Sequence, residues 1–471
     1  MSGRISQAPV EILLTDSERL ARTTQVVLEV LVQELPPVQA RITQSPVEVL
    51  LDAETRLSRA TQLAIEVLVQ EVIPPPAACI NVVIEPYGIQ IAYFIKLKNQ
   101  EGQVVAIFDN FLSMHVKHEL NGVGTYELIF ADDGDERFEL FELDGQIELY
   151  RMVIGRSTWT LEFEGLHRKP VRSIAENGEK IFSSIGLDYN DLLSRPSILY
   201  KEGTIRADKN APAEIVIKEY VEENCGPTGL QWTVVGRLFS GSYPGFIVEA
   251  PSPQANLTAN WAGSRAFENL LDSLQDIANY AGIDFKVIGN GPAQFIFMTR
   301  IGQLGYDLTT IDLDATTGLN GAGNRPIIFA VSHGTVQNLE YVDDHLAEIT
   351  VVSILGKGEM STRHTITVYE PNRLIDSPWN RREVTRSAGN DQEFEYQMVQ
   401  LGNEVLIEGS PDNSYIFKPM QVPVLLYGID YKTGDKVTLR SDQGEFHKKI
   451  VSVDVTIAET KEEVSITFGE F

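Results

Sequence analysis

Across residues 107–133 the chain reads IFDNFLSMHVKHELNGVGTYELIFADD, and residues 143–169 continue as LDGQIELYRMVIGRSTWTLEFEGLHRK. Apolar and polar positions alternate in short runs, cut about every ten positions by turn residues. The turns fall at Asp109-Asn110, Asn121-Gly122, Asp133-Gly134, Asp144-Gly145 and Gly155-Arg156. Such spacing predicts antiparallel strands of a barrel or sandwich. Residues 80–99, INVVIEPYGIQIAYFIKLKN, extend the β pattern upstream and end in a turn at Asn99-Gln100-Glu101-Gly102.

Further on, the period changes. Residues 174–203 read as a connection of helical and loop character. Residues 211–226 predict a helix with Pro212 in its first turn, Ile215, Tyr220 and Val221 on one face, and Gly226 as its stop. The strongest helical stripe is Phe267, Leu270, Leu271, Leu274, Ile277 and Ala278, which predicts a helix over 264–280 closed by Gly282. A strand pair is expected over 229–251, and a hairpin about Gly289-Asn290-Gly291. The Gly/Asn-rich loop 312–326 returns the chain to β structure that lasts to Val368, and a helix follows over 394–402. Residues 423–471 read as all-β, with turns at Lys432-Thr433-Gly434 and Asp442-Gln443-Gly444.

The N-terminal residues repeat. RISQAPVEILL starts at Arg4, RTTQVVLEVLV at Arg22, RITQSPVEVLL at Arg41 and RATQLAIEVLV at Arg59. Pro9 and Pro46 mark the first and third copies, so the true unit is a pair, 37 residues long and duplicated once. The Val/Ile content predicts strands, with Pro confined to strand starts or edges. A two-strand unit is marginal alone. It therefore pairs with another copy or with a partner's sheet edge; a small self-contained β-domain and a carbohydrate module are the other readings. In the docking reading, Arg4, Gln7, Arg22, Gln25, Arg41, Gln44, Arg59 and Gln62 contact the partner backbone. Leu35-Pro36-Pro37 and Ile73-Pro74-Pro75-Pro76 act as stiff spacers.

At 471 residues the chain exceeds one core, so about three domains are expected. A composition of 43% hydrophobic and 22% charged residues supports packed cores. The net charge of -27 argues against a duplex-binding surface, because phosphate contacts need Lys and Arg. An acidic wall does suit a channel through which DNA slides. Cys79 and Cys225 have no metal or redox spacing. No signal-peptide pattern and no membrane-spanning run is read, which points to synthesis in a cytoplasm.

Little in the sequence is equipped for chemistry. There is no G-x-S-x-G and no H-E-x-x-H. His115 and His118 lie three apart on a predicted strand and face opposite sides, a poor geometry for a shared metal. Asp343-Asp344-His345 is the one tight acid/His cluster, and a hydrophilic turn explains it equally well. Gly356-Lys357-Gly358 lacks the earlier glycine of a phosphate loop, since Val351 stands there. Gly318, Gly321 and Gly323 make no dinucleotide fingerprint, and the Asn256-Leu257-Thr258 sequon needs secretion to matter. With 66 acidic residues, accidental carboxylate pairs are guaranteed. No catalytic residue, cofactor or metal is assigned.

The order of several motifs carries a resemblance. Phe108-Asp109-Asn110-Phe111, Leu143-Asp144-Gly145-Gln146-Ile147, the Trp159 strand and Gly165 open it. GLDYNDLLSR from Gly186 to Arg195, Ile198-Leu199-Tyr200, the two helices, GYDLT from Gly305, IIFAVSHGTVQNLEYVDDHLAEITVVSILGKGEMSTR from Ile327, NRREV around Arg382 and GDKVTL from Gly434 follow in order. Over residues 104–471 the chain resembles the tail-hub proteins of long-tailed phages, in particular the ReqiPepy-type siphovirus tail proteins. The resemblance implies a mainly β fold with an α+β insert: two barrel-like β domains and a helix-containing middle domain, here preceded by β-strand repeats. Expected boundaries are 1–76 for the docking arm, 77–205 for the first hub domain, 206–315 for the middle domain, 316–390 for a β segment returning to the hub barrels and 391–471 for the C-terminal β domain. It also implies a non-enzymatic homotrimer in the virion, at the tail tip. There it would join a sixfold tail tube or distal tail protein to a threefold central fibre or spike, around a lumen for DNA. A cell-wall or capsule hydrolase and a host-receptor binder are the alternatives. The resemblance assigns no role to residues 1 to about 100.

Overall fold

The computed structural model describes residues 81–84, 88–131, 138–174, 180–200, 204, 206–229, 242–389, 394–442, 444–458 and 461–469. The repeat residues Arg4, Gln7, Arg22, Gln25, Arg41, Gln44, Arg59 and Gln62, and Cys79, lie outside them.

The alternation that opens the sequence analysis forms β1 (Asn81–Ile84), β2 (Gln90–Lys98), β3 (Val104–Phe108), β4 (Ser113–Glu119), β5 (Thr125–Ala131) and β6 (Gln146–Val153). The long β7 (Thr160–Ile174) and β8 (Lys180–Asp188) follow. Alternate residues are buried: Tyr126, Leu128 and Phe130 on β5 face the core, while Thr125, Glu127 and Ile129 do not. Asn121 and Asp144 sit at φ 57° and 60°, the left-handed conformation that short Asn and Asp side chains tolerate in tight turns. β8 falls where a connection is expected. Its apolar alternation is interrupted by buried Ser183 and Ser184, and Ser184 bonds the Tyr126 hydroxyl and His167 Nδ1.

Between β8 and residue 301 lies the α+β insert. It contains α1 (Asp191–Ser194), β9 (Ala207–Pro212), α2 (Ala213–Asn224), β10 (Phe246–Val248), β11 (Asn260–Arg265), α3 (Leu270–Ala281), β12 (Ile283–Gly289) and β13 (Phe295–Ile301). Val216, Ile217, Tyr220 and Val221 of α2 meet Leu270, Leu274 and Ile277 of α3 in one core. The predicted helix over 264–280 starts later than expected. Residues 260–265 pair as a strand with β9, and Asn269 caps α3 by accepting from the Asp272 amide. Phe267, expected on the helical stripe, sits at φ 63° and is 58% exposed, its ring edge-on to Tyr200. Gly282 closes α3 in the left-handed conformation, as expected.

After the insert come β14 (Asp307–Leu308), β15 (Ile328–Ala330) and β16 (Val336–Asp344), and later β20 (Asp412–Pro419), β21 (Lys436–Ser441), β22 (Gly444–Ala458) and β23 (Lys461–Gly469). These rejoin the first strands. The ladder runs β1-β2-β6-β7-β8-β5-β4-β22-β23-β20-β16, with β3 beside β2, β21 beside β22, and β14 and β15 beside β21, fifteen strands in all. β22 is the splice, pairing with β21 through residues 444–449 and with β4 through 452–458. One hydrophobic cluster runs under both halves, from Ile91 and Phe130 to Phe329, Val453 and Phe468. Among the described residues the ladder closes into no barrel, so mainly β with an α+β insert describes the fold.

The expected 316–390 segment divides. β17 (Val351–Leu355), β18 (Thr365–Tyr369) and β19 (Glu383–Ser387) make their own sheet, ordered β18-β17-β19. Between β18 and β19 runs the short α4 (Pro371–Ile375), and α5 (Glu395–Glu408) covers one sheet face through Met398, Val405 and Leu406. The helix expected to end at 402 continues past Gly402. A Cβ there would lie 2.6 Å from Val368 Cγ2, so this glycine allows close packing rather than ending the helix.

Candidate functional site

Backbone pairing places Tyr93 of β2 directly opposite Arg151 of β6, both facing the space between the halves of the long sheet. Across that space stand Glu462 of β23 and Tyr427. Arg151 Nη2 donates to Glu462 Oε2 at 3.0 Å and Nε to Oε1 at 3.1 Å, while Nη1 donates to the Tyr427 carbonyl at 2.8 Å. The Tyr93 hydroxyl donates to Glu462 Oε1 at 2.8 Å. Beside this group, Glu162 accepts from the Tyr427 hydroxyl and lies 3.2 Å from His118 Nε2. Burial opposes the charge on Arg151, yet Glu462 holds the guanidinium firmly protonated. Burial likewise acts to raise the Glu162 carboxyl, but His118 and Arg151 outweigh it and keep it below its ordinary value. Arg151, Glu462 and Glu162 thus find their partners in one another's neighbours, the Tyr93 and Tyr427 hydroxyls, the Tyr427 carbonyl and His118, which ties the two halves together.

Two further ionic contacts tie the other cores together. Lys449 of β22 lies 3.1 Å from Asp284 of β12 and donates to the Gly302 carbonyl at 2.9 Å, locking the insert to the long sheet. Arg265 of β11 pairs with Glu404 of α5 at 2.6 Å, and the Trp261 indole N–H donates to the other oxygen of Glu404. The Arg265 guanidinium lies 5.2 Å from the Trp261 ring centroid, and Gln400 donates to Glu404 at 3.1 Å. Sequence reasoning missed all three junctions, because their partners lie on different elements, far apart in the chain. Near the insert, desolvation pushes the buried Asp188 carboxyl up to about 7 against the pull of Lys286 and the Gly124 and Asn190 amides.

The candidates for chemistry resolve into structure. His115 and His118 do take opposite faces of β4: His115 pairs with Asp454 on one side, His118 with Glu162 on the other. His345 lies between Asp343 at 3.1 Å and Glu348 at 2.8 Å in the turn after β16, and Arg382 donates to the His345 and Leu346 carbonyls. Among the described residues no group of three or more acidic, His or Cys side chains is placed to hold a metal. Gly356-Lys357-Gly358 ends β17, where the Gly356 and His364 amides bond back across the turn to His364 and Lys357 carbonyls. An open hollow of about 730 Å³ beside α2 is lined by Glu219, Glu222, Glu223 and Glu249. Lys209 pairs with Glu219 and Glu223, Lys218 reaches Glu249, and Glu222 accepts from Thr228. Cys225 is buried, and among the described residues no helix is long and apolar enough to cross a membrane.

Residues 94–470 match the family described as Siphovirus ReqiPepy6 Gp37-like protein. The chain belongs to this siphovirus tail-protein family. No curated protein matches. Among solved structures, the chain is similar to the tail protein from Neisseria meningitidis MC58, with 10% identity, 80% of this chain and 96% of that chain covered, and a TM-score of 0.44. It is similar also to the prophage MuSo2 43 kDa tail protein from Shewanella oneidensis, with 12% identity, 80% and 98% covered, and a TM-score of 0.46. The prophage tail protein gp18 from Listeria monocytogenes EGD-e is a third, with 12% identity, 80% and 94% covered, and a TM-score of 0.42.

Proposed function

We propose that this tail protein is a non-enzymatic hub at the tail tip, assembled as a homotrimer. In this reading it joins a sixfold tail tube or distal tail ring to a threefold fibre or spike around a lumen for DNA. The observation that carries the proposal is the open end of the long sheet. β1 and β3 lie end to end along the outer side of β2, and among the described residues nothing pairs with their far side. β3 exposes Val104 and Val105, at 51% and 41%. Apolar strand edges favour pairing with another chain. β16, at the other end of the ladder, carries a register shift between Gln337 and Glu340 and the acidic Asp343 and Asp344, devices that discourage pairing there. The two ends therefore differ, and contacts between unlike surfaces close into a ring when the rotation between subunits returns to its start, and otherwise run on as a filament. The net charge of -27 suits a wall along which DNA slides.

The duplicated N-terminal unit fits the same scheme, since two copies per subunit give six in a trimer. Its eight Arg and Gln residues serve as docking contacts to the sixfold neighbour. Replacing Arg4, Gln7, Arg22, Gln25, Arg41, Gln44, Arg59 and Gln62 together by Ala in the full chain tests this. A variant that folds and trimerises but fails to enter assembled tails supports the docking role. Normal incorporation, seen by electron microscopy of the particles, refutes it.

A further inference from the structure

The sheet β18-β17-β19 buries one face against α5 and leaves the other open. Register sets the open face in rows: Tyr369, Val351 and Glu383 in one, Thr367, Ser353 and Thr385 in the next. The segment from α4 to β19 borders it, so Leu374 and Arg381 complete a cleft of about 420 Å³ with Val351, Ser353, Thr367, Tyr369 and Glu383.

Three properties of this cleft point to one ligand chemistry. Its charged groups, Arg381 and Glu383, are paired with each other, so the cleft is locally neutral on a chain of net charge -27. An anionic ligand meets no unpaired cation there, and a cationic one no unpaired carboxylate. The hydroxyls of Ser353, Thr367 and Tyr369 make no hydrogen bond to other described residues, which leaves a line of donors and acceptors. Aromatic surface is also presented. Tyr369, which lines the cleft, is 57% exposed. A phenol ring exposed in a cleft offers an apolar face with a polar tip for a ligand to stack on.

We infer that this cleft binds a neutral oligosaccharide. The Tyr369 ring takes the apolar face of a sugar, the hydroxyl row takes its hydroxyls, and the Arg381–Glu383 pair offers fixed donors and acceptors without net charge. This is independent of the hub reading: a hub with this cleft would also touch a glycan of the host surface.

The test titrates the full-length protein with neutral oligomers of glucose, galactose and N-acetylglucosamine, with a polyuronate as charged control. Tryptophan fluorescence and calorimetry give the readout. The expected result is saturable binding of at least one neutral oligomer, weakened about tenfold or more by Tyr369→Ala and by Thr367→Val. Both side chains are exposed, so the melting temperature stays that of the parent, and Tyr306→Ala, an exposed aromatic elsewhere, binds as the parent does. No binding of any neutral oligomer overturns the inference. So does equal binding of the polyuronate, or binding that survives both substitutions.

Discussion

Arg151 and Glu462, 311 residues apart in the chain, meet as a fully buried bidentate pair between the two halves of the long sheet. Removing one partner strands the other charge, buried, without its counter-ion. Glu462→Gln or Arg151→Met is expected to destabilise the protein by about 3–5 kcal/mol. The double change Arg151→Met with Glu462→Leu is expected to recover much of that loss, since two apolar side chains leave no orphaned charge. Urea unfolding of the four proteins gives the comparison; a double variant as unstable as the sum of the singles contradicts it.

Gly402 offers a test in which helix propensity and packing disagree. Ala is favoured over Gly inside a helix by about 1 kcal/mol. A Cβ at this position would lie 2.6 Å from Val368 Cγ2 and 2.9 Å from Val368 Cβ. Overpacking of this kind costs about 1–3 kcal/mol, so Gly402→Ala is expected to lower the melting temperature. Adding Val368→Ala should restore it. A single variant more stable than the parent would show that the sheet and α5 are not in close contact.

Asp188 sets a pH dependence. Its folded-state pKa of about 7 is raised above the ordinary 3.8 by burial, so the folded protein holds this proton more tightly than the unfolded chain does. The stability it lends is complete below about pH 4 and is lost as pH rises through about 7. Asp188→Asn removes that titration while keeping an oxygen for the Asn190 amide. The variant should match the parent near pH 4 and exceed it at pH 8 by on the order of 3 kcal/mol. Chemical denaturation at the two pH values decides; a constant difference between the proteins contradicts the account.

The fold was legible wherever local pattern and turn chemistry agreed. β4 and β5 follow from strict alternation and from Asn121, whose short side chain suits the left-handed turn between them. α3 follows from its apolar stripe, but the stripe alone places its start too early because Phe267 happens to fall on the same period. The strand pairing of residues 260–265 and the Asn269 cap override that period. β8 was hidden by Ser183 and Ser184, polar residues buried among hydroxyl and imidazole partners that only the tertiary structure supplies. Gly402 reads as a helix stop until Val368 is seen against it. The Arg151–Glu462 and Arg265–Glu404 pairs were out of reach, because no spacing announces partners brought together by strand order and helix docking. The motif order carried the family assignment, while nothing in the pattern sets β17–β19 apart from the long sheet, because both read as the same β alternation.

The mass of the purified full-length protein, measured by light scattering coupled to size exclusion, tests the hub proposal most directly. The proposal predicts a single species at three times the 52.4 kDa chain mass, stable on dilution. A monomer at every concentration would contradict it.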